Sequence, residues 1–229
     1  MLGNLRAEVF EANLELVRRG LVIYTFGNAS GISREEGLVA IKPSGVAYET
    51  MTPQDLVITD LEGRTVEGTL KPSSDLATHL ALYRAFPAIG GVVHTHSAHA
   101  TAFAQARREI PCLGTTHADY FRGAVPVTEE LAEAEIESDY EWNTGQAIVR
   151  RLAGCDPMEM PAALVAGHGP FTWGKSAGAA AYNATILEEL ARVALYSLWI
   201  NPEAQPLAGV HRDKHFFRKH GSAASYGQK

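Results

Sequence analysis

The stretch Gly90-Gly-Val-Val-His-Thr-His-Ser97 decides how the rest of this chain is read. Val92 and Val93 are β-branched, which suits a strand, and they run straight into two histidines spaced i, i+2. On a strand alternate side chains share a face, so His94 and His96 are expected to point one way and Thr95 the other. Two imidazoles on one face can converge on a single divalent ion at roughly 2.0–2.1 Å. An isolated H-x-H is more often a pair of ordinary core or surface histidines. Two further segments, Ser73-Ser-Asp75 upstream and Gly167-His-Gly169 downstream, turn the balance toward a metal site.

Outward from that strand the pattern alternates short strands with helices. Leu5, Val9, Ala12 and Leu16 fall at helical spacing, with Arg18 and Arg19 in the last turn and Gly20 as a C-cap. Leu21 to Phe26 reads as a strand running into a small-residue loop, Gly27-Asn-Ala-Ser-Gly31. Ile32-Ser33 and Leu38 to Ile41 form a hairpin around Glu35-Glu36-Gly37, and Leu56 to Asp60 pairs with Arg64 to Glu67. A Ser or Asp of Lys71-Pro-Ser-Ser-Asp75 caps a helix ending near Phe86. Ala98 to Arg107 is helical, Ile110 to Tyr120 irregular, and Gly123 to Thr128 a further strand. Helices follow over Glu141 to Leu152, Ser176 to Ile200 and Val210 to Lys219, and the short apolar strand Ala162 to Ala166 delivers His168. The expected class is α/β, one domain over 1–229, with a mixed and mostly antiparallel central sheet carrying helices on both faces.

The 229 residues are 46% hydrophobic and 20% charged, as in a soluble globular protein. A net charge of −6 argues against a nucleic-acid partner, and Arg212, Lys214, Arg218 and Lys219 read as a solvated helix face. Cys112 and Cys155 form no C-x-x-C and no disulfide framework, which fits a reducing compartment. Neither a signal peptide nor a spanning helix is evident, since Glu188, Glu189 and Arg192 interrupt the longest apolar run. The expectation is a cytoplasmic protein with no membrane partner.

Three kinds of chemistry are written into the motifs. His94, His96 and His168 could supply three neutral nitrogens and Asp75 a carboxylate, a donor set that suits Zn2+, with Mn2+ or another divalent ion also compatible. Nothing in the residues alone pairs His168 with the other two, and that link is what the resemblance below implies. Gly27-Asn28, Ser44-Gly45 and Ser73-Ser74 are small polar loops whose backbone N–H groups and hydroxyls suit a phosphate, with Lys42 and Lys71 adding charge. No Walker motif and no G-x-G-x-x-G is present, so nucleotide and nicotinamide chemistry have no support. Asp119 and His117, in the irregular segment, are candidate acids or bases. Tyr226 stands in a polar tail that, read alone, is a frayed terminus.

At these residues the chain resembles the class II aldolase/epimerase superfamily over essentially its whole length, and within it the bacterial ketopentose-phosphate 4-epimerases. The resemblance rests on Phe26-Gly-Asn, Ile41-Lys-Pro-Ser-Gly45, Lys71-Pro-Ser-Ser-Asp75 and Gly91-Val-Val-His-Thr-His-Ser97. It continues through Gly114-Thr-Thr-His-Ala-Asp-Tyr-Phe121, His168-Gly-Pro170, Asp213-Lys-His215, Arg218-Lys-His-Gly221 and Tyr226-Gly-Gln228. It implies a metal on His94, His96 and His168 with Asp75 in or beside the ligand set. Substrate contacts are implied from Gly27, Asn28, Lys42, Ser44, Gly45, Ser73 and Ser74. Asp119 and Tyr226 match the two proton-transfer residues, and Thr115, His215 and Arg218 match supporting positions. A homotetramer with active sites between subunits is implied, Tyr226 coming from a neighbour.

The activity so implied interconverts L-ribulose 5-phosphate and D-xylulose 5-phosphate. The hydrogen on carbon 4 of such a ketopentose is not adjacent to the carbonyl, so enolisation cannot invert that centre. Cleavage and re-formation of the bond between carbons 3 and 4 can, given a Lewis acid and two proton carriers on opposite faces. Sugar-phosphate aldolases of the superfamily typically carry Glu where Asp75 stands, and adducin-type relatives are metal-free structural domains. Both are the alternatives.

Overall fold

The computed structural model describes residues 2–220 and 224–225. Helix α1 (Leu2–Arg18) precedes β1 (Asn28–Ser33), β2 (Leu38–Ile41), β3 (Val57–Asp60) and β4 (Thr65–Glu67). Then come α2 (Leu76–Ala85), β5 (Gly91–His94), α3 (Ala98–Gln105), α4 (Thr115–Ala118), α5 (Glu133–Glu137) and α6 (Tyr140–Arg151). Strands β6 (Ala162–Leu164) and β7 (Pro170–Gly174) lead to the long α7 (Ala177–Ile200) and to α8 (Gly209–His220). The seven strands form one sheet in the order β4-β3-β2-β1-β5-β7-β6. Every pairing between these strands is antiparallel, and the parallel link among the described residues is the isolated bridge of Val127 with Leu164.

Alternation along the strands sorts the core into two layers. Val39, Ile41, Val57 and Val92 face a cluster with Leu80, Leu82, Tyr83, Phe171 and Trp173. Their neighbours Ala40, Ile58 and Val93 face a second cluster with Val9, Ala12, Leu16 and the first turns of α7. Both faces of the sheet are therefore dry, and the functional side chains emerge where strands end.

Four local expectations are corrected. Leu21 to Phe26 is not a strand: Ile23, Tyr24 and Phe26 are exposed, and Tyr24 takes a positive φ of 55° that no strand tolerates. The expected loop from Gly27 to Gly31 is instead mostly the central strand β1. Its residues are small because α1 lies on it, and a Cβ at Gly31 would come within 2.8 Å of Val9. Strand β5 stops at His94, so His96 is not on it. Gly123 to Thr128 forms isolated bridges through Val125 and Val127 rather than a strand, and β7 and α5 had no clear period in the sequence.

Candidate metal and substrate site

His94 ends β5, His96 follows two residues later, and His168 stands in the tight turn between β6 and β7. Because β5 pairs directly with β7, that turn is brought beside the end of β5. One ligand nitrogen from each imidazole lies within 4.8 Å of the others. The ring centroids are 4.8 Å apart for His94 and His96, 4.7 Å for His94 and His168, and 5.1 Å for His96 and His168. Gly169 permits this crowding, since a Cβ there would sit 2.9 Å from the Thr95 carbonyl and 3.3 Å from the His96 ring.

The protonation state of the cluster suits cation binding. His94 Nδ1–H donates to the Pro170 carbonyl at 3.0 Å, which leaves Nε2 with a free lone pair. Phe171, its cross-strand partner, stacks on the His94 ring at 4.2 Å. Burial pushes the His94 pKa down to about 3, and burial with the neighbouring His96 lowers that of His168. Tyr140 Oη stands 3.4 Å from His168 Nδ1. Neutral, oriented imidazoles are what a divalent ion requires.

Asp75 occupies the N-cap position of α2, yet its side chain makes no capping bond. Asn28 Nδ2 donates to Asp75 Oδ2 at 2.7 Å instead. Asn28 is the cross-strand partner of His94, so β1 turns the carboxylate toward the histidines. Burial acts to raise the Asp75 pKa, but His94, His79 and the Asn28 amide outweigh it and hold the carboxyl below its ordinary value.

A cavity of roughly 510 Å³ opens over this centre. It is lined by Gly27, Asn28, Lys42, Ser44, Gly45, Ser73, Ser74, Asp75, His94, His96 and His168, all expected from the sequence. Thr25, Phe26, Pro43, Tyr140 and Glu141 also line it and were not singled out as site residues. Tyr140 and Glu141 open a helix, a position with no sequence signal for a cleft. Part of the expected phosphate cradle is already engaged. Ser44 N–H donates to the Lys71 carbonyl and Ser73 N–H to the Lys42 carbonyl, both at 2.9 Å, so the two loops are tied to each other. What they offer a ligand is hydroxyls and other N–H groups. Lys42 is fully buried, with Nζ donating to the Val46 carbonyl at 2.7 Å and lying 4.6 Å from the Tyr48 ring centre. Burial pushes its pKa down to about 8. Tyr48 Oη in turn donates to the Gly27 carbonyl at 2.8 Å, coupling the Lys42 and Gly27 loops.

The remaining expected residues sit elsewhere in the chain. Thr115 opens α4 and Asp119 caps its far end, and neither lines the cavity. Arg218 grips Asp119 with both ends of its guanidinium, at 3.0 and 2.8 Å, and His215 Nδ1 lies 3.1 Å from Oδ1. Burial would raise the Asp119 pKa, but Arg218, His215 and Lys219 together lower it. His117 is buried and bonds the Gly123 carbonyl at 2.7 Å through Nε2, which makes it a structural residue rather than an acid or base. Tyr226 lies outside the described residues.

Residues 7–195 match the family described as Class II Aldolase and Adducin N-terminal domain. The chain belongs to that family. Over 228 residues, all of both chains, it is 55% identical to proteins named L-ribulose-5-phosphate 4-epimerase UlaF from Salmonella paratyphi B (strain ATCC BAA-1250 / SPB7) and Salmonella typhi. Among solved structures, an L-fuculose 1-phosphate aldolase superposes with a TM-score of 0.78 at 25% identity, covering 93% of this chain and 94% of that one. A protein from Klebsiella pneumoniae, YgbL, described as a putative aldolase/epimerase/decarboxylase, gives a TM-score of 0.72 at 29% identity, covering 93% of this chain and 98% of that one. The class II aldolase fold expected from the sequence is thus the fold observed.

Proposed function

We propose that this chain is a divalent-metal-dependent L-ribulose-5-phosphate 4-epimerase, interconverting L-ribulose 5-phosphate and D-xylulose 5-phosphate. The observation that carries the reading is the cavity in which three converging imidazoles meet the small polar loops, in a chain 55% identical end to end to epimerases of that name. His94, His96 and His168 would hold the ion, with Asp75 in or beside the set, and Zn2+ is the ion we assign. When bound, such a cation supplies Lewis-acid stabilisation of negative charge on the substrate oxygens at carbons 2 and 3.

The chain's own groups do the rest. Asn28, Ser44, Ser73, Ser74 and the Lys42 ammonium hold the phosphate end, so that the aldehyde half turns within the cavity instead of leaving. Asp119 and Tyr226 move the proton on the carbon-4 oxygen, one on each face of the turning carbonyl. Asp119 is ionised, as a proton acceptor must be, because Arg218 and His215 stabilise its charge. Since the Asp119 cluster does not line the cavity of its own chain, we assign the complete site to a homotetramer, a neighbouring subunit bringing Thr115, Asp119, His215, Arg218 and Tyr226 to the histidines. The whole chain, 1–229, acts as one domain in this assembly, and its substrate is a cytoplasmic sugar phosphate.

The test is turnover of L-ribulose 5-phosphate in D2O, followed by NMR of the product. Carbon–carbon cleavage predicts inversion at carbon 4 with its hydrogen retained. Deuterium at carbon 4 would exclude the mechanism. Stoichiometric release of glycolaldehyde phosphate with no D-xylulose 5-phosphate would make the protein an aldolase, the activity named for its L-fuculose 1-phosphate relative.

A further inference from the structure

His96 stands two residues beyond the end of β5, so sheet hydrogen bonding does not fix it. Two long contacts serve the segment locally: Thr95 N–H to the Pro170 carbonyl at 3.4 Å, and Ser97 N–H to Thr95 Oγ1 at 3.4 Å. The next element, α3, begins at Ala98, and its N-cap residue Ser97 makes no capping bond to the helix. The first turn of a helix nonetheless exposes N–H groups that need acceptors.

Glu188, from the middle of α7, supplies them. Its Oε1 accepts from His99 N–H at 2.9 Å and its Oε2 from Ala100 N–H at 3.0 Å. His99 Nδ1 lies 2.7 Å from Oε1, and Ser97 is among the groups that favour the charge on this carboxylate. The side chain is only 17% exposed. Burial acts to raise its pKa, but the Ala100 and His99 N–H groups, the His99 ring and Ser97 together lower it. A negative charge at a helix N-terminus is also favoured by the helix dipole. In the sequence Glu188 reads only as a charge interrupting an apolar helix.

We propose that Glu188 is a positioning residue for the metal centre: by capping α3 from α7, it fixes where residues 95–97 leave the sheet and hence where the His96 imidazole points. The inference rests on reading the three histidines as a ligand set. Residue 96 is held between two anchors, β5 behind it and the Glu188 carboxylate ahead. Helix α7 packs on β5 and β7 as well as on α3, so one rigid element carries both the strand and the cap.

The experiment measures the Zn2+ dissociation constant of purified protein by competition with a chromogenic chelator, beside the melting temperature. Glu188→Gln keeps the shape but sets an amide NH2 against a backbone N–H. It is expected to weaken Zn2+ binding by about 10–100-fold, the usual cost of losing support behind a ligand. Glu188→Asp should recover part of the loss, and Glu189→Gln, at an exposed neighbour paired with Arg192, should change nothing. At saturating Zn2+ the KM of Glu188→Gln for the sugar phosphate should stay near wild type. A folded Glu188→Gln that melts lower yet binds Zn2+ as tightly as wild type overturns the proposal, leaving Glu188 a cap only. Should Glu188→Gln fail to fold, Ser97→Ala decides: a smaller loss of affinity supports the proposal and unchanged affinity overturns it. Wild-type protein that binds no Zn2+ would instead sink the metal reading itself, and this inference with it.

Discussion

In the histidine cavity, each candidate ligand is carried by a strand end or by a turn or loop bonded to a strand. At Asp119 the carboxylate is held by α8, which begins at residue 209, beyond the residues 7–195 that match the family. Asp119 itself lies within the matched residues, so the match takes in the histidine cavity and this carboxylate but not the helix that holds it. Electrostatics differ in the same sense. Burial lowers the pKa values of His94 and His168, while Arg218, His215 and Lys219 hold the Asp119 carboxyl below its ordinary value. The two regions thus divide the proposed work, cation binding in the cavity and proton transfer at the Asp119 cluster.

The sharpest way to break that division is to disable one region and examine the other. His96→Asn is expected to lose the metal and all turnover while α8 stays docked on Asp119, as metal analysis and circular dichroism would show. Tyr226→Phe should keep metal content and assembly but lower kcat by ~10²–10⁴-fold, the usual loss for an acid or base. A Phe variant with normal kcat would remove Tyr226 from the mechanism. Mixing those two inactive variants under conditions of subunit exchange should restore measurable activity if the site is shared between chains. A site contained in one chain restores none.

Smaller effects sharpen the cavity itself. Lys42 is charged below about pH 8 and neutral above it, so kcat/KM for the phosphate substrate should fall as pH rises through that value. Lys42→Met should raise KM about ten-fold, one lost charge-assisted contact being worth roughly 1.5 kcal/mol, and should flatten that limb of the profile. Tyr48→Phe removes the hydroxyl that ties the Gly27 loop and should cost about 1 kcal/mol in a urea titration.

Much of this was legible in the sequence where side-chain chemistry is local. The H-x-H pair, the small polar loops and the long helix over Ala177–Ile200 announce themselves. Other features are set by partners distant in sequence. β1 looks like a loop because its small residues answer to α1 packing on them. Asp75 looks like a helix cap but is claimed by Asn28, 47 residues earlier. The two histidines do converge, though the alternation that predicted it ends at His94, and the cap from Glu188 has no signature near residue 96. Lys42 reads as a charge for a phosphate site, and only the folded loop shows it buried against Tyr48.

The central claim is that three imidazoles hold a divalent cation on which inversion at carbon 4 depends. The most direct measurement is the rate of D-xylulose 5-phosphate formation from L-ribulose 5-phosphate before chelation, after it, and after Zn2+ or Mn2+ is restored. The account predicts that activity disappears with the metal and returns with it. Undiminished turnover in protein shown by elemental analysis to be metal-free would contradict it.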